Sequence, residues 1–463
     1  MQKFNPNIYA YLENDSAMIQ AAVDEAAKTG AKVTIPRYNA RTLSNIWEIT
    51  KAIRLHTGSV ICLDNCYLRQ ADDVYENIFI NSNQGTPLGY TREGRQYDIH
   101  VYGLGNAVLD GGKHNGLREF NHSKDGRPHI HNNCMFNFLN VERLSVENLR
   151  IINHRYWAFV HHYCTHGRIS NINFYVPVQN MNQDGINLRT GCSHFIIENI
   201  TGCTGDDTVA LTNLYSCHDK PIREAGYDNS IHNVIIRNVQ SCTRYSQVRL
   251  LNHYGKKIYN IVVENVMEDS ESDYANLPGY ESLHPEMDSL RVGACVRIGG
   301  DAYHKEGAKV QLTDTYNITV RNVVSQGRIG IKADCALCGG LFDNIRMYGK
   351  GGTAVYFGDG EIKNVVISNI IYPPNLFPNE TDDNRREGPY NQEWDVKHEP
   401  DREICAVYFK NVTAENIVVD NLMAGENLTS VFGGNGKADV RTSNVIRYGV
   451  NTALNTGEQI TLK

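Results

Sequence analysis

The sequence predicts an all-β protein: a right-handed parallel β-helix that forms one domain over residues 1–463, with a short N-terminal capping helix. Three observations predict this fold. A short β-branched phrase recurs along the chain, asparagines recur at equivalent turns of that phrase, and one amphipathic helical segment precedes the repeats.

The repeated phrase is a short strand of β-branched residues followed by Asn and another apolar residue. It occurs at 141–151, 192–202, 231–241, 257–267, 315–325, 361–371 and 414–424. We assign the turns to Asn148, Asn173, Asn199, Asn238 and Asn265, which are spaced 25, 26, 39 and 27 residues apart. Asn at a turn suits left-handed backbone geometry and a hydrogen-bonded amide ladder. Leucine-rich repeats and propellers would show other phrases, and a β-sandwich does not explain the in-phase asparagines.

The first regular element is a helix predicted at residues 15–30. Its apolar positions recur at helical spacing, with Asp15 or Ser16 as the N-cap and Gly30 as the stop. A strand follows directly at KVTIP. Because the terminal coil of a β-helix exposes unpaired backbone, we expect this helix to cover it.

Composition excludes several classes of partner. The chain is 41% hydrophobic and 21% charged, with a formal net charge of −7. It therefore lacks the excess of Lys and Arg residues that binding to nucleic acid phosphates would need. No apolar run is long enough to span a bilayer, and we expect no membrane partner. The first residues lack an apolar signal core, which predicts a cytoplasmic protein unless the N-terminus was trimmed, in which case it would be secreted.

Twelve cysteines are scattered along the chain. Cys335 and Cys338 form a CxxC pair without a second pair at zinc-site spacing, so we interpret the cysteines as buried small hydrophobic residues of a reduced compartment. We expect neither a metal ion nor a cofactor.

Three polar insertions interrupt the repeats, at 113–133, 270–293 and 373–403. Long loops on a rigid scaffold commonly form the walls of a binding site. They would equally serve as caps or as contacts in an oligomer, and the sequence leaves the oligomeric state open.

Two segments one coil apart carry acidic residues at equivalent positions: QDGINL at 183–188 and DDTVAL at 206–211. Their alignment places Asp184 on Asp207, 23 residues later. Adjacent parallel strands lie about 4.8 Å apart, so these side chains are expected to be neighbours, and Asp206 precedes Asp207 by one residue. Repulsion should raise the pKa of at least one carboxyl group, giving an acid beside ionised bases. That arrangement suits cleavage of a glycosidic bond, whereas a calcium site or solvated turn acids are the alternatives.

The strand alternation poses a difficulty for this interpretation. Asp184 shares its parity with Ile186 and Leu188, which belong in the core. A local bend at Gly185 and Gly205 would have to turn the carboxylates outward.

The same register extends to SQVRL at 246–250 and ACVRI at 294–298. It places four residues in one outward column: Asn187, Ala210, Arg249 and Arg297. The two arginines are candidates for binding sugar hydroxyls or carboxylates, or for balancing the acids, and a surface salt-bridge ladder is the alternative. Four histidines are weaker candidates near a cleft, since a His in a polar turn is commonly just solvated: His161, His162, His253 and His304.

The NxDG segment followed one coil later by GDD resembles the polygalacturonases of glycoside hydrolase family 28, within the pectin-lyase-like superfamily. The matching residues are Asn182, Asp184, Gly185, Gly205, Asp206 and Asp207. The resemblance implies a carbohydrate substrate and an inverting hydrolase, with Asp206 as the general acid and Asp184 and Asp207 holding the attacking water.

Two further family positions differ here. Ser246 stands where the family has a histidine, and Gly299 stands where it has a lysine that binds the uronate carboxylate, although Arg297 is kept. We therefore expect a poor polygalacturonase that prefers a different glycan, neutral glycans included. A β-helix lyase or fructotransferase, or a non-catalytic glycan-binding β-helix of the phage-spike kind, remain the alternatives.

Overall fold

The computed structural model describes residues 3–117, 130–176, 182–243, 245–269, 294–300, 309–325, 329–348, 352–372, 404–425, 428–447 and 452–463. Backbone contacts divide the chain into two compact units. The first unit comprises the residues up to 206 together with 215–234, and the second comprises 207–214 and the residues from 235 onward. Each unit is built from short parallel strands that pair with the equivalent strands of neighbouring coils, so the predicted right-handed parallel β-helix is confirmed.

The strands of the first unit form two sheets. In chain order they are β1 Lys3–Phe4, β2 Lys32–Pro36, β3 Ile46–Ile49, β4 Ile53–Leu55, β5 Val60–Asp64, β6 Tyr67–Gln70, β7 Phe79–Asn81, β8 Gln96–Leu104, β9 Val108–Asp110, β10 Phe136–Leu139, β11 Val141–Ile152, β12 Phe159–His162, β13 Thr165–Tyr175, β14 Ile186–Arg189 and β15 Ser193–Cys203. Strands β4, β7, β10, β12 and β14 belong to the second sheet, and the others to the first. The α-helices of this unit are α1 Asp15–Thr29 and α2 Asp219–Glu224, and short 3-10 turns lie at Pro6–Tyr9, Pro87–Tyr90 and Ile130–Asn133.

The strands of the second unit continue the numbering. They are β16 Val209–Asn213, β17 Ile231–Cys242 (whose first four residues belong to the first unit), β18 Val248–Asn252, β19 Ile258–Glu268, β20 Val296–Gly299, β21 Thr315–Ser325, β22 Ile329–Asp334, β23 Leu337–Met347, β24 Thr353–Gly358, β25 Glu361–Ile371, β26 Cys405–Lys410, β27 Thr413–Ala424, β28 Ser430–Gly433, β29 Lys437–Arg447, β30 Ala453–Asn455 and β31 Ile460–Leu462. The even-numbered strands belong to the second sheet and the odd-numbered strands to the first. The repeated phrases of the sequence coincide with β11, β15, β17, β19, β21, β25 and β27, as predicted.

The long strands turn corners at left-handed residues, and asparagine supplies many of these corners. Asn148 has φ of 59° and Asn199 has φ of 57°. The side chain of Asn171 donates to Asn148 Oδ1 and that of Asn199 donates to Asn171 Oδ1, each at 2.8 Å. The amide ladder is therefore confirmed, but the assignment of Asn173 to it was wrong. Asn171 has φ of 56° and occupies the turn, because the register aligns the residues on either side of it with those flanking Asn148.

The N-terminal helix is confirmed, with a different N-cap. Asn14 caps α1 by accepting the Ala17 N–H at 2.9 Å, and Gly30 ends the helix with φ of 65°. Asp15 and Ser16 instead fasten the helix to the first coils. Asp15 accepts the Glu48 N–H at 2.8 Å and Ser16 accepts the Thr50 N–H at 2.9 Å. The Glu48 and Thr50 N–H groups thus occupy the short side chains that were predicted to cap the helix.

The strands of the second sheet alternate between the interior and the outer face. Phenylalanines stack along the interior from coil to coil, for example Phe79 on Phe136 and Phe136 on Phe159 at 5.4 and 4.8 Å. In the second unit Phe357 stacks on Phe409 at 5.4 Å. The alternate residues of these strands point to the outer face. No helix among the described residues is long and apolar enough to cross a lipid bilayer.

Candidate active site

The candidate carboxylates lie in bends that precede strands of the second sheet. Strand β14 begins at Ile186 and β16 at Val209, so Asp184 and Asp207 each stand two residues before a strand. Because both aspartates precede the first residue of their strands, the inward–outward alternation of strand side chains does not apply to them. The sequence-based objection that Asp184 should point into the core is therefore removed. Asp184 is 5% and Asp207 6% exposed, and Asp206 is half-buried.

In the first unit, short hydrogen bonds fix Asp184 and Asp206. The Asn187 amide donates to Asp184 Oδ2 at 2.9 Å, and the backbone N–H of Asn182 donates to Asp206 Oδ2 at 2.9 Å. The backbone N–H of Asp206 itself donates to the Gln183 carbonyl at 3.3 Å. Asn182 and Asn187 therefore each donate a hydrogen bond to one of the acids, while a role for either in binding substrate stays a prediction.

In the second unit, Asp207 lies beside cationic side chains. Arg249 Nη1 is 3.8 Å from Asp207 Oδ2. Burial raises the pKa of Asp207 above its usual value, while Arg249, Arg297 and the neighbouring polar groups of Ser246 oppose that rise. A raised pKa was expected, but its largest cause is burial rather than repulsion between carboxylates.

The three predicted acids are neighbours. Asp184, Asp206 and Asp207 each present one carboxylate oxygen, and these oxygens all lie within 4.8 Å of one another. Asp206 and Asp207 are consecutive residues, so one bend of the backbone places both carboxylates in this cluster. Carboxylate oxygens are also ligands that hard cations such as Ca²⁺ prefer, and among the described residues these three acids are close enough together to hold one. The expectation that the site works without a metal stays a prediction.

The outer face of the second sheet carries a basic column in the second unit. Backbone register pairs Ala210 with Arg249, Arg249 with Arg297, and Arg297 with Lys332. The predicted alignment of Ala210, Arg249 and Arg297 is thus correct. The sequence interpretation missed Lys332. We call Arg249, Arg297 and Lys332 the basic column. All three residues are at least nine-tenths buried.

Asp334, also missed, joins two members of the basic column. Arg297 donates to Asp334 Oδ2 from Nη2 at 2.7 Å and from Nε at 3.2 Å, and Lys332 Nζ lies 3.1 Å from the same oxygen. Burial alone would raise the pKa of Asp334, but Arg297 and Lys332 hold it well below its usual range. Burial lowers the pKa of Lys332 to about 8, against the attraction of Asp334.

The backbone explains why position 299 carries no lysine. Gly299 has φ of 94°, and a Cβ there would meet the Cys335 Cβ at 2.7 Å and Sγ at 2.8 Å. A side chain at 299 is therefore both strained and excluded. The cation beside Arg297 is supplied from the adjacent strand by Lys332. The alternation in GRIGIKAD, with one charged residue between buried Ile331 and Ala333, was the sequence signal that could have found it.

Of the remaining predicted residues, Ser246 hydrogen-bonds Asp207 through both its side chain and its backbone. Ser246 is fully buried in the bend before β18, and its carbonyl accepts the Thr208 N–H at 2.9 Å. His253 follows β18 in a turn, where its ring lies 3.4 Å from the Tyr254 carbonyl oxygen. His161 stacks on Phe138 in the interior at 5.4 Å, where burial lowers its pKa to about 4.

Several predicted features lie outside the described residues. These are His304, the insertions at 270–293 and 373–403, and all of the 113–133 insertion except 113–117 and 130–133.

Comparisons with known proteins agree on the fold. No family model matches the chain, and no curated protein matches it. Among solved structures, a mutant tailspike protein of E. coli bacteriophage HK620 in complex with a pentasaccharide is 13% identical, with TM-score 0.59 over 100% of this chain and 78% of that chain. The Streptococcus pneumoniae surface adhesin PfbA is 11% identical, with TM-score 0.51 over 98% and 93%. A Thermotoga maritima exopolygalacturonase is 14% identical, with TM-score 0.44 over 97% and 92%. The likeness to the tailspike protein and to the adhesin is, at these identities, one of fold.

Proposed function

We propose that the protein is a glycoside hydrolase whose catalytic groups are Asp184, Asp206 and Asp207. One observation carries the proposal: three carboxylates with oxygens within 4.8 Å of one another, two of them more than nine-tenths buried. Close carboxylates in different environments separate into acids and bases, which is the requirement for protonating a glycosidic oxygen while activating water.

The environments suggest how the roles divide. Asp206 is the most exposed of the three and takes the role of general acid, since the acid must reach the leaving-group oxygen. Asp184 accepts the Asn187 amide and Asp207 lies 3.8 Å from Arg249, and we assign to both the role of orienting and deprotonating a water molecule. Burial raises the pKa of Asp207, which strengthens it as a base. Attack by that water on the face opposite the leaving group inverts the anomeric carbon.

The short carboxylate spacing bears on stereochemistry. Inverting pairs commonly stand about 6.5–9.5 Å apart, and retaining pairs about 5–5.5 Å apart. A close pair alone would therefore favour retention. With three carboxylates, two can hold one water between them while the third protonates the leaving group, and we propose inversion on that ground.

The basic column bears on the charge of the substrate. The expectation of a neutral glycan rested on Ser246 in place of the family's histidine and on the absence of a second cation at Gly299. Lys332 supplies a cation 3.1 Å from the Asp334 carboxylate, which also binds Arg297, so the second of these grounds is removed. Neutral and anionic glycans of matched length therefore belong in the same screen.

A lyase is the second candidate, because a specific observation favours it. β-Elimination from a uronate needs a basic group, and burial lowers the pKa of Lys332 to about 8. A lyase leaves an unsaturated non-reducing end on one fragment and a reducing end that keeps the glycosidic oxygen on the other. A hydrolase leaves only saturated ends, and the oxygen of its new reducing end comes from water.

A glycan-library assay tests the proposal. The wild type and Asp206→Asn are incubated with neutral, uronate-containing and sulfated oligosaccharides, with Asp98→Asn on the exposed surface as the matched control. We expect new saturated reducing ends from the wild type and from Asp98→Asn, and a near-complete loss in Asp206→Asn. Unsaturated products would favour the lyase. Equal activity of Asp206→Asn and the wild type would refute the assigned acid.

A further inference from the structure

The Asp334 carboxylate occupies an unusual position at the end of β22. It is 4% exposed, and two cations from different strands approach one of its oxygens. Arg297 donates two hydrogen bonds to Oδ2, the shorter at 2.7 Å, and Lys332 Nζ lies 3.1 Å from it. A ladder of surface salt bridges would pair each cation with its own acid. Here one buried carboxylate sets the position of two cationic heads.

Gly299 completes this arrangement from the neighbouring strand. It is the register partner of Asp334, and its carbonyl oxygen lies 3.5 Å from Arg249 Nη2. A Cβ at 299 would also approach the Asp334 carbonyl carbon to 3.0 Å. The missing side chain thus leaves room for Asp334, and the Gly299–Asp334 pair contacts every member of the basic column.

Fixing and burying these side chains costs conformational and desolvation free energy, which ion pairs seldom recover in full. Lys and Arg each lose rotamer entropy when fixed, and burial adds a desolvation cost. A buried charge network of this kind is therefore weak evidence for a purely stabilising role. It is well suited to holding cations in one geometry before a ligand arrives, which is how binding groups are preorganised.

We propose that Asp334 is a positioning residue of the active site: it fixes Arg297 and Lys332 as a paired cationic clamp that binds the substrate. The proposal rests on the proposed function, since the clamp lies on the same sheet face as Arg249, the neighbour of Asp207. Asp334 acts through Arg297 and Lys332 and does not itself touch the substrate.

The test is a double-mutant cycle between Asp334→Asn and Lys332→Met, which keep side-chain size while removing charge. Each single variant should lower kcat/KM by about tenfold to a hundredfold, the scale of a charge-assisted hydrogen bond, mainly through a higher KM. Because Asp334 acts partly through Lys332, the double variant should lose much less than the product of the two single losses. Independent, multiplicative losses would overturn the proposal.

A pH profile supplies a readout that a merely structural role would not move. Asp334 on the same strand raises the pKa of Lys332, whereas Arg297 and Arg249 lower it, and the Lys332 ammonium lies 5.3 Å from the Tyr356 ring centroid. Activity that needs protonated Lys332 falls as pH rises through about 8. Removing Asp334 should move this alkaline limb to lower pH. An unchanged limb in Asp334→Asn would contradict the proposal.

Lys332→Arg keeps the test decisive if Asp334→Asn does not fold. A guanidinium stays protonated at this pH, so the variant should retain substrate binding and lose the alkaline limb near pH 8. A limb that persists in Lys332→Arg would show that another group titrates. Failure of the proposed function would look different, since Asp206→Asn would then keep its activity whatever the clamp variants do.

Discussion

The outer face of the second sheet has a different chemistry in each of the two units. Strands β10, β12 and β14 place Asn137, Val160 and Asn187 in register, which we call the neutral column. Strands β18, β20 and β22 place the three residues of the basic column in register at the equivalent outward-facing position. In both, the residues on either side of the column are buried in the core.

The β-helix scaffold determines which positions face outward, but not which residue types occupy them. Strand register and alternation determine that one residue per coil stands on the outer face, whatever its chemistry. The neutral column gives Asp184 an amide donor, and the basic column gives Asp207 a guanidinium. Two carboxylates with equivalent positions in their coils thereby receive different electrostatic neighbours.

The largest expected effect comes from the acid itself. Asp206→Asn keeps the shape of the side chain but cannot donate a proton as a carboxylic acid, so turnover should fall by about 10²–10⁴-fold. Thermal unfolding and the circular dichroism spectrum should stay close to those of the wild type, since the amide oxygen can still accept the Asn182 N–H. A variant with near-normal turnover would place the acid elsewhere.

The next effect tests the difference between the columns. Arg249 lowers the pKa of Asp207, so Arg249→Met should let that pKa rise further. Because the ionised form of Asp207 is required, the acidic limb of the rate profile should move to higher pH. We also expect kcat/KM to fall by about tenfold to a hundredfold.

Asn137→Ala in the neutral column is the matched control for Arg249→Met. It removes a polar outer-face side chain without removing a charge, and the acidic limb should stay where it is. A similar displacement in both variants would show that general loosening of the sheet, rather than the charge of Arg249, sets the limb.

Sequence reasoning succeeded where the pattern is local and periodic. The repeated phrases gave the strands, and the alignment of SQVRL with ACVRI gave the register of Arg249 on Arg297. It failed for Lys332 and Asp334, because IKA at 331–333 carries lysine and alanine where VRL and VRI carry arginine and a large aliphatic residue. It also failed for Asn173, since two asparagines two residues apart fit the turn equally well until pairing with the neighbouring strand selects Asn171.

The smallest effect concerns the turns that the whole scaffold shares. Asn171→Ala places alanine at φ of 56° and removes two rungs of the amide ladder, so the free energy of unfolding should fall by about 1–2 kcal/mol. Asn173→Ala in the same strand loses only an exposed contact to Thr201 and should change stability by less than about 0.5 kcal/mol. Chemical denaturation of both variants measures the difference. Equal losses would mean that the ladder adds nothing to stability.

The stereochemistry of the first-formed product tests the central claim most directly. With a substrate identified in the library screen, proton NMR in the first minutes of reaction distinguishes the anomer released by the enzyme from the one formed later by mutarotation. Two carboxylates that hold one water opposite the leaving group, with the third protonating that group, predict a saturated reducing sugar with inverted configuration. A retained configuration would instead require one of the aspartates to act as a nucleophile, and an unsaturated end would require elimination, so either result would contradict the proposed mechanism.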